Sequence, residues 1–330
     1  MTGLRWGILA TGGIASAFAS DLRTAGLDIA AVGSRSQESA DAFAARFGIP
    51  RAHASYESLV ADPDVDIVYV STPHPMHHAN ARLALEHGKH VLVEKAFTVN
   101  RGQAEDLQRL GAEKGLLVME AMWTRYLPHM VRLREIIAEG ALGEIRAVMA
   151  DHTQSLPTDP AHRLNALELG GGALLDLAIY PISFVWDILG EPDTVQASAR
   201  LIETGADAEV ATIMTHAGGA ISTTLSSSRA AGPNTAAVVG TEGRVEIQRF
   251  FWSPSILRVY STDGDLIEEF DGRPSPDEGR GMQYEALAAE RMVAEGVLAG
   301  DVLPIDETVG IMGTLDEIRR QIGVTYPEEH

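Results

Sequence analysis

Over the first third of the chain, short apolar runs alternate with segments whose apolar residues recur at helical spacing. Residues 4–9, 28–33, 67–70, 90–94 and 116–119 read as strands; residues 14–25, 36–47, 75–87 and 100–114 read as helices, with Ser36 as a cap. The strands are almost continuously apolar rather than alternating, so both their faces must be covered. Strand–helix alternation of that kind predicts an α/β fold, a doubly wound parallel sheet of the Rossmann type.

After about Met122 the pattern changes. Residues 129–139 form a helix ending at Gly140, 144–154 a strand, and 173–189 a helix preceded by Gly170-Gly171-Gly172 and followed by Gly190. Strand candidates then follow at 195–202, 209–216, 219–226, 236–240, 244–248, 257–260 and 266–270, separated by short turns such as Asp263-Gly264-Asp265. Runs of this sort indicate a mostly antiparallel sheet. Residues 273–281 read as an exposed loop, and helices at 281–299 and 305–322 finish the chain. The expected organisation is a dinucleotide-binding domain over 1–122 and an α+β domain over 123–330. The second domain has a large open sheet, helices on one face, and roles in substrate binding and oligomerisation.

The chain's 330 residues provide ample core. A net charge of −20 argues against a nucleic-acid surface, although backbone N–H groups can still hold an anionic cofactor in an acidic protein. There are no cysteines, which excludes disulfides, thiolate metal sites and Cys nucleophiles. The start of the chain shows no basic-then-apolar leader, and no apolar stretch approaches the roughly 18 residues of a membrane span. The expectation is a cytoplasmic protein with no membrane partner.

Five constellations carry chemistry. In Ala10-Thr11-Gly12-Gly13-Ile14-Ala15, between the first strand and first helix, Ala10, Gly12 and Ala15 can supply the tight turn, the bare approach to a pyrophosphate and the close helix–strand packing of a dinucleotide site. The same residues also suit a tight turn with no ligand. At the end of the second strand, Ser34-Arg35-Ser36 has no acid to bind ribose hydroxyls, and Arg35 can hold a 2′-phosphate. That favours NADP(H), with NAD(H) as the alternative; the competing account is a helix cap beside a solvated Arg.

After the third apolar strand, Ser71-Thr72-Pro73-His74, followed by His77 and His78, reads as the lining of a nicotinamide pocket. It is not read as a metal site, because no thiolate or HExxH-type pair accompanies it. Glu94-Lys95 closes the next strand. Lys95 is one of only three lysines against twenty-three arginines, and Lys, unlike Arg, can lose its proton when desolvated. In the glycine-led helix, Asp176 and Tyr180 are four apart and share one face among apolar neighbours. A nearby cationic Lys would stabilise the Tyr180 phenolate, giving a Lys–Tyr pair that passes a proton as hydride moves. The plainer account makes Tyr180 core filler and Asp176 a structural acceptor.

Together these residues resemble the glucose–fructose oxidoreductase / inositol dehydrogenase (Gfo/Idh/MocA) family of NAD(P)-dependent oxidoreductases. The resemblance runs through the N-terminal turn, Thr72-Pro73, Ala84 to Lys95, and Gly171 to Tyr180. Tyr180 stands where the family often has His. Glu120-Ala121-Met122-Trp123-Thr124-Arg125 resembles a subgroup of dimeric dihydrodiol dehydrogenases and NADP-dependent xylose dehydrogenases. The resemblance implies Lys95 and Tyr180 as catalytic pair, Asp176 in the substrate site, and Trp123 and Arg125 beside the nicotinamide. It also puts Arg163 and Asn165 along the substrate cleft. Ala96 stands where the family has Pro, and His74 where Asn is common. A non-proline bond strongly prefers trans, which sets Ala96 against any cis geometry the family has there.

The function expected is hydride transfer between NADP(H) and a carbinol or carbonyl carbon of a sugar, polyol or cyclic trans-dihydrodiol. The alternatives are a non-catalytic NADP-binding regulator and an NAD-dependent glycoside-cleaving enzyme on the same fold. The open sheet of the second domain is expected to bury its free face against another subunit, through alternating positions of 195–202 and 209–216, and the resemblance implies a homodimer or dimer of dimers.

Overall fold

The computed structural model describes residues 3–275 and 278–327. The chain divides into two compact units, Met1–Trp123 with Pro274–Val309, and Thr124–Arg273 with Gly310–His330. In the first, β1 (Arg5–Leu9), α1 (Gly13–Thr24), β2 (Asp28–Gly33), α2 (Gln37–Phe47), β3 (Arg51–His53), α3 (Tyr56–Val60), β4 (Ile67–Val70), α4 (His77–Glu86), β5 (His90–Glu94), α5 (Arg101–Lys114) and β6 (Val118–Ala121) alternate along the chain. The six strands are all parallel, in the order β3-β2-β1-β4-β5-β6. Strand order reverses between β1 and β4, so the ligand crevice of a doubly wound sheet lies outside their carboxyl ends. Ser36, Ser55 and Asn100 cap α2, α3 and α5 by accepting the N–H of Ser39, Ser58 and Gln103. The pair β3 and α3 was not expected: neither is long enough to show a period.

The second unit holds α6 (Pro128–Ala138), β7 (Ile145–Thr153), α7 (Ile179–Leu189), β8 (Pro192–Leu201), β9 (Asp207–His216), β10 (Ile221–Ser227), β11 (Ala236–Gly240), β12 (Gly243–Ile247), β13 (Ile256–Ser261) and β14 (Leu266–Asp271). Its eight-stranded sheet runs β14-β13-β12-β11-β7-β10-β9-β8, antiparallel throughout except at β7–β10. The helix expected over 173–189 is two elements, a π-helical turn, Leu174–Ala178, running into α7. Pro181 supplies the reason. It has no N–H for the carbonyl of Leu177, four residues back, and that oxygen instead accepts His152 Nδ1–H at 3.2 Å. The stretch Leu167–Leu189 is long and apolar enough to cross a membrane by length and composition, which corrects the sequence expectation. Its most apolar window is 83% buried inside the structure, as befits the core helix of a globular unit.

Two helices close the chain, α8 (Gln283–Glu295) and α9 (Ile305–Ile322). The expected single cut near residue 122 assigns all of this to the second domain, but Pro274–Val309 packs with the first unit. Asp21 of α1 accepts the N–H groups of Arg280 and Met282 at 3.0 and 2.9 Å, holding the start of α8. Trp6 of β1 donates its indole N–H to Glu290 at 3.0 Å. Nothing local in the sequence announces such partners more than two hundred residues away.

Glu285, on the inner side of α8, is fully buried, and neither carboxyl oxygen has a hydrogen-bond partner among the described residues. Burial, and then the charges of Glu94, Glu120 and Asp21, hold its pKa well above the ordinary carboxylate value. The folded state therefore binds this proton more tightly than the unfolded state. The stability it contributes is complete below the unfolded pKa and is lost as pH rises towards the folded one. Glu285→Gln, which keeps the shape and removes the ionisation, is expected to melt above the wild type at about pH 9 and level with it near about pH 4. Melting curves across that range check this, and a gap that does not change with pH refutes it.

Candidate active site

The N-terminus of α1 is built to receive an anion. Gly12 is its N-cap and offers no side chain, and the first turn carries no acid. A Cβ at Gly12 or Gly13 would meet nothing within 4 Å, so the backbone N–H groups open onto free space. Ala10 sets up this turn at φ 93°, a region that favours glycine, with its N–H on the Gly33 carbonyl at 3.0 Å. Thr11, Ile14 and Ala15 complete the segment, Ala15 being fully buried where helix meets strand. These features fit a dinucleotide pyrophosphate.

At the end of β2, Ser34 is buried and its N–H reaches the His53 carbonyl at 3.0 Å. Arg35 is exposed and enters no ion pair among the described residues. After β4, Ser71 donates its hydroxyl to the Leu9 carbonyl at 3.0 Å, and Thr72 accepts from Asn80 at 3.2 Å. Pro73 caps the short turn that carries His74. His77 is 1% exposed, its two ring nitrogens facing the Thr72 and Ala96 carbonyls at 2.7 and 3.0 Å. Burial lowers its pKa to about 4, so the ring is neutral near pH 7. His77, expected to line the cofactor pocket, ties the loop after β4 to the loop after β5. His74 approaches the Lys95 carbonyl at 3.2 Å from the same side. Among the described residues no group of three His, Asp or Glu is placed to hold a metal ion.

Glu94 is buried, accepting the Tyr69 hydroxyl at Oε1 and the Lys95 N–H at Oε2, 3.3 Å away. It links Tyr69 of β4 to the backbone of Lys95. Lys95 is half-buried at the carboxyl end of β5, and the Lys95–Ala96 bond is cis, contrary to the trans geometry expected of a non-proline bond. Trp123, just beyond β6, is 6% exposed and lies under the Arg280 guanidinium at 5.2 Å.

In the second unit, Asp176 and Tyr180 project from the π turn and the start of α7. Tyr180 is buried among aromatic rings: His152 meets it edge-on at 5.0 Å and stacks on Trp252 at 3.5 Å. The His152 Nδ1–H bond to Leu177 and the contact of its Nε2 with the Gln154 amide at 2.7 Å fix this ring. Sequence reasoning passed over His152 and Trp252. The one available signal was Phe250-Phe251-Trp252, an aromatic run in a chain with 6% aromatics.

Arg163 is exposed and pairs with Asp176 at 3.2 Å. Asn165 does not line a cleft. It is fully buried, its amide donates to the Pro157 and Asp159 carbonyls, and its oxygen accepts from Arg229. Arg125 is also committed. It is 2% exposed, paired with Asp187 at 2.9 Å and bonded to Ser183, which leaves no charge to offer a nicotinamide.

A family model described as an oxidoreductase family with an NAD-binding Rossmann fold matches residues 4–122, and a GFO/IDH/MocA C-terminal domain model matches residues 130–246. The chain belongs to the GFO/IDH/MocA oxidoreductases. A trans-1,2-dihydrobenzene-1,2-diol dehydrogenase of Bos taurus is 36% identical over 99% of both chains. A D-xylose 1-dehydrogenase (NADP(+)) of Hypocrea jecorina is 39% identical over 98% of this chain and 93% of its own. Among solved structures, a 3-ketoreductase of Actinomadura kijaniata in complex with NADP and TDP-benzene superposes with a TM-score of 0.84 at 27% identity, covering 97% of this chain and 98% of that one. This GFO/IDH/MocA member is an NAD(P)-dependent oxidoreductase with the two-sheet architecture of its relatives.

Proposed function

We propose that this oxidoreductase acts on a ring-bearing carbinol, a cyclic sugar, polyol or trans-dihydrodiol, with Lys95 and Tyr180 as its proton-handling pair and NADP(H) as the preferred cofactor. NADP(H) supplies or accepts the hydride. Tyr180 takes or returns the hydroxyl proton, and Lys95 stabilises charge developing on the substrate oxygen. The observation that carries this reading is the setting of Tyr180: an acid, Asp176, on the same helical face, and a wall of His152 and Trp252 rings. An aromatic wall with few polar groups suits a compact ring bearing hydroxyls. The relatives point the same way, one named for a dihydrodiol and one for D-xylose with NADP(+). They are dehydrogenases, which speaks against both a non-catalytic regulator and a glycoside-cleaving enzyme. The test is a screen of aldoses, cyclic polyols and trans-dihydrodiols with NADP⁺, read as NADPH absorbance. Turnover of a cyclic hydroxyl compound is the expected result, and turnover of open-chain substrates alone refutes the ring-bearing assignment.

The open face of the second sheet is proposed to dock a second copy of this chain. On β10 the usual alternation is inverted: Ser222, Thr224 and Ser226 are buried, whereas Ile221 and Leu225 face out. Their neighbours on the same face are Met149 of β7 and Ile213 of β9, both exposed and aligned across Thr223. In a chain of net charge −20, this uncharged patch is where two like-charged copies can meet about a two-fold axis. The patch differs from the expected one, since β8 presents Gln196, Ser198 and Arg200 to that face, opposite Ile213, Ala211 and Glu209. Ile213→Arg with Leu225→Arg is expected to convert a dimer into a monomer of 35.3 kDa by light scattering. A wild type that is already monomeric at micromolar concentration sinks the proposal.

A further inference from the structure

We propose that Asp207 is a positioning residue: its buried carboxylate fixes the start of the segment that carries Asp176 and Tyr180, and is kept there at a cost in stability. The inference rests on the roles proposed above for those two residues. Asp207 opens β9 and is 1% exposed. Its Oδ2 accepts the Leu174 N–H at 2.7 Å, and the Ala173 N–H is also directed at the carboxylate. Ala173 and Leu174 start the π turn, and Ala173 has no side chain able to cap it. The cap therefore comes from another strand.

The fit is close on the other side as well. Gly172 has φ 138°, and a Cβ there would overlap Asp207 Oδ1. Gly171 is equally constrained, because its Cβ would strike the backbone of Ala166 and Arg163. Gly172 thus leaves room for the carboxylate beneath the turn, and Gly171 for the loop that precedes it. Asp176 follows Leu174 by two residues and Tyr180 by six, so a shift at Leu174 passes directly into both.

A neutral amide of the same shape could accept the Leu174 N–H. The carboxylate is a stronger acceptor and complements the N-terminal end of the helical segment. Among the described residues no cation pairs with it. The charges on the surrounding elements are paired with one another, Arg200 of β8 with Glu209 of β9 and Arg163 with Asp176, while Arg229 bonds Asn165. Oδ1 has no hydrogen-bond partner among the described residues. Burial accordingly raises the Asp207 pKa to about 6 against the pull of the backbone N–H groups. With the folded pKa above the unfolded one, stability falls as pH rises from about 4 to about 6, and the full cost stands at higher pH. A costly charge placed under the segment that carries Asp176 and Tyr180 is what a functional compromise predicts.

The experiment compares Asp207→Asn, Tyr180→Phe and the double variant on the full chain. Asp207→Asn is expected to melt at or above the wild type at about pH 8, yet to lose about tenfold to a hundredfold in kcat with NADPH affinity unchanged. The acid limb of the wild-type kcat profile near about pH 6 should be absent from it. In the Tyr180→Phe background the Asp207 substitution should add little, because it acts through that residue. Normal turnover in Asp207→Asn beside an impaired Tyr180→Phe overturns this proposal alone. Normal turnover in Tyr180→Phe overturns the reading of Tyr180 and this proposal with it. An Asp207→Asn variant that is less stable or fails to fold shows a structural cap and also overturns it.

Discussion

Lys95→Met and Tyr180→Phe are each expected to lower kcat by about two or more orders of magnitude while leaving NADPH affinity nearly unchanged. Each substitution is close to isosteric at its site. Met keeps the length of the Lys95 side chain at the end of β5 and removes only the ammonium. Phe keeps the ring that His152 meets edge-on at 5.0 Å and removes only the hydroxyl. The supports of both residues also survive. Glu94 accepts the backbone N–H of Lys95, which the substitution keeps, and Tyr180 lies in a segment fixed by the Leu177 carbonyl and His152. Loss of turnover with an unchanged melting temperature therefore reports chemistry. Steady-state rates by NADPH absorbance, with affinity measured by energy transfer from tryptophan, separate the two effects. Near-normal kcat in either variant removes that residue from the reaction.

The elements legible in the sequence share one physical property: their burial pattern is periodic over enough residues to be seen. The strands at 28–33, 67–70 and 90–94 are continuous apolar runs with both faces covered, and β2, β4 and β5 occupy those same positions. Ser36 as the cap of α2 was legible because a cap acts within one turn. What the sequence hid depends on distant partners. β3 is three residues, Arg-Ala-His, recognisable only by its pairing with β2. The return of α8 to the first unit depends on Asp21 and Trp6. For the candidate site, position along the chain was legible: Arg35 follows the end of β2 and Lys95 the end of β5, as the apolar runs before them imply. Burial was not legible. Arg125 and Asn165 look available in the sequence and are spent on Asp187 and on the loop carbonyls of Pro157 and Asp159. His152 and Trp252 lie a hundred residues apart, and only the sheet and the turn before β13 bring their rings to 3.5 Å.

Arg35→Ser is expected to weaken NADPH binding by about tenfold to a hundredfold and to leave NADH binding almost unchanged. The reasoning begins with what else could hold a 2′-phosphate at the end of β2. Ser34 is buried, and the Ser36 hydroxyl oxygen already accepts the Ser39 N–H at 3.4 Å as the cap of α2. Glu38 is the first acid in this segment, and it stands beyond that cap in the first turn of α2. Arg35 is exposed, close enough to Tyr56 to oppose the burial that raises that phenol, and enters no ion pair among the described residues. In a chain of net charge −20 the long-range field repels an extra phosphate, so a local cation must supply the preference. A charge-assisted hydrogen bond contributes about 1.5–3 kcal/mol, which converts to the fold-change above. Because Arg35 is exposed, the preference should also shrink as salt is raised. Parallel titrations of wild type and Arg35→Ser with NADPH and NADH decide the matter. A wild type that prefers NADH keeps the fold and overturns the role of Arg35. Binding of neither nucleotide reduces Ala10-Thr11-Gly12 to a turn without a ligand, and the roles given to Lys95 and Tyr180 lose the cofactor on which they depend.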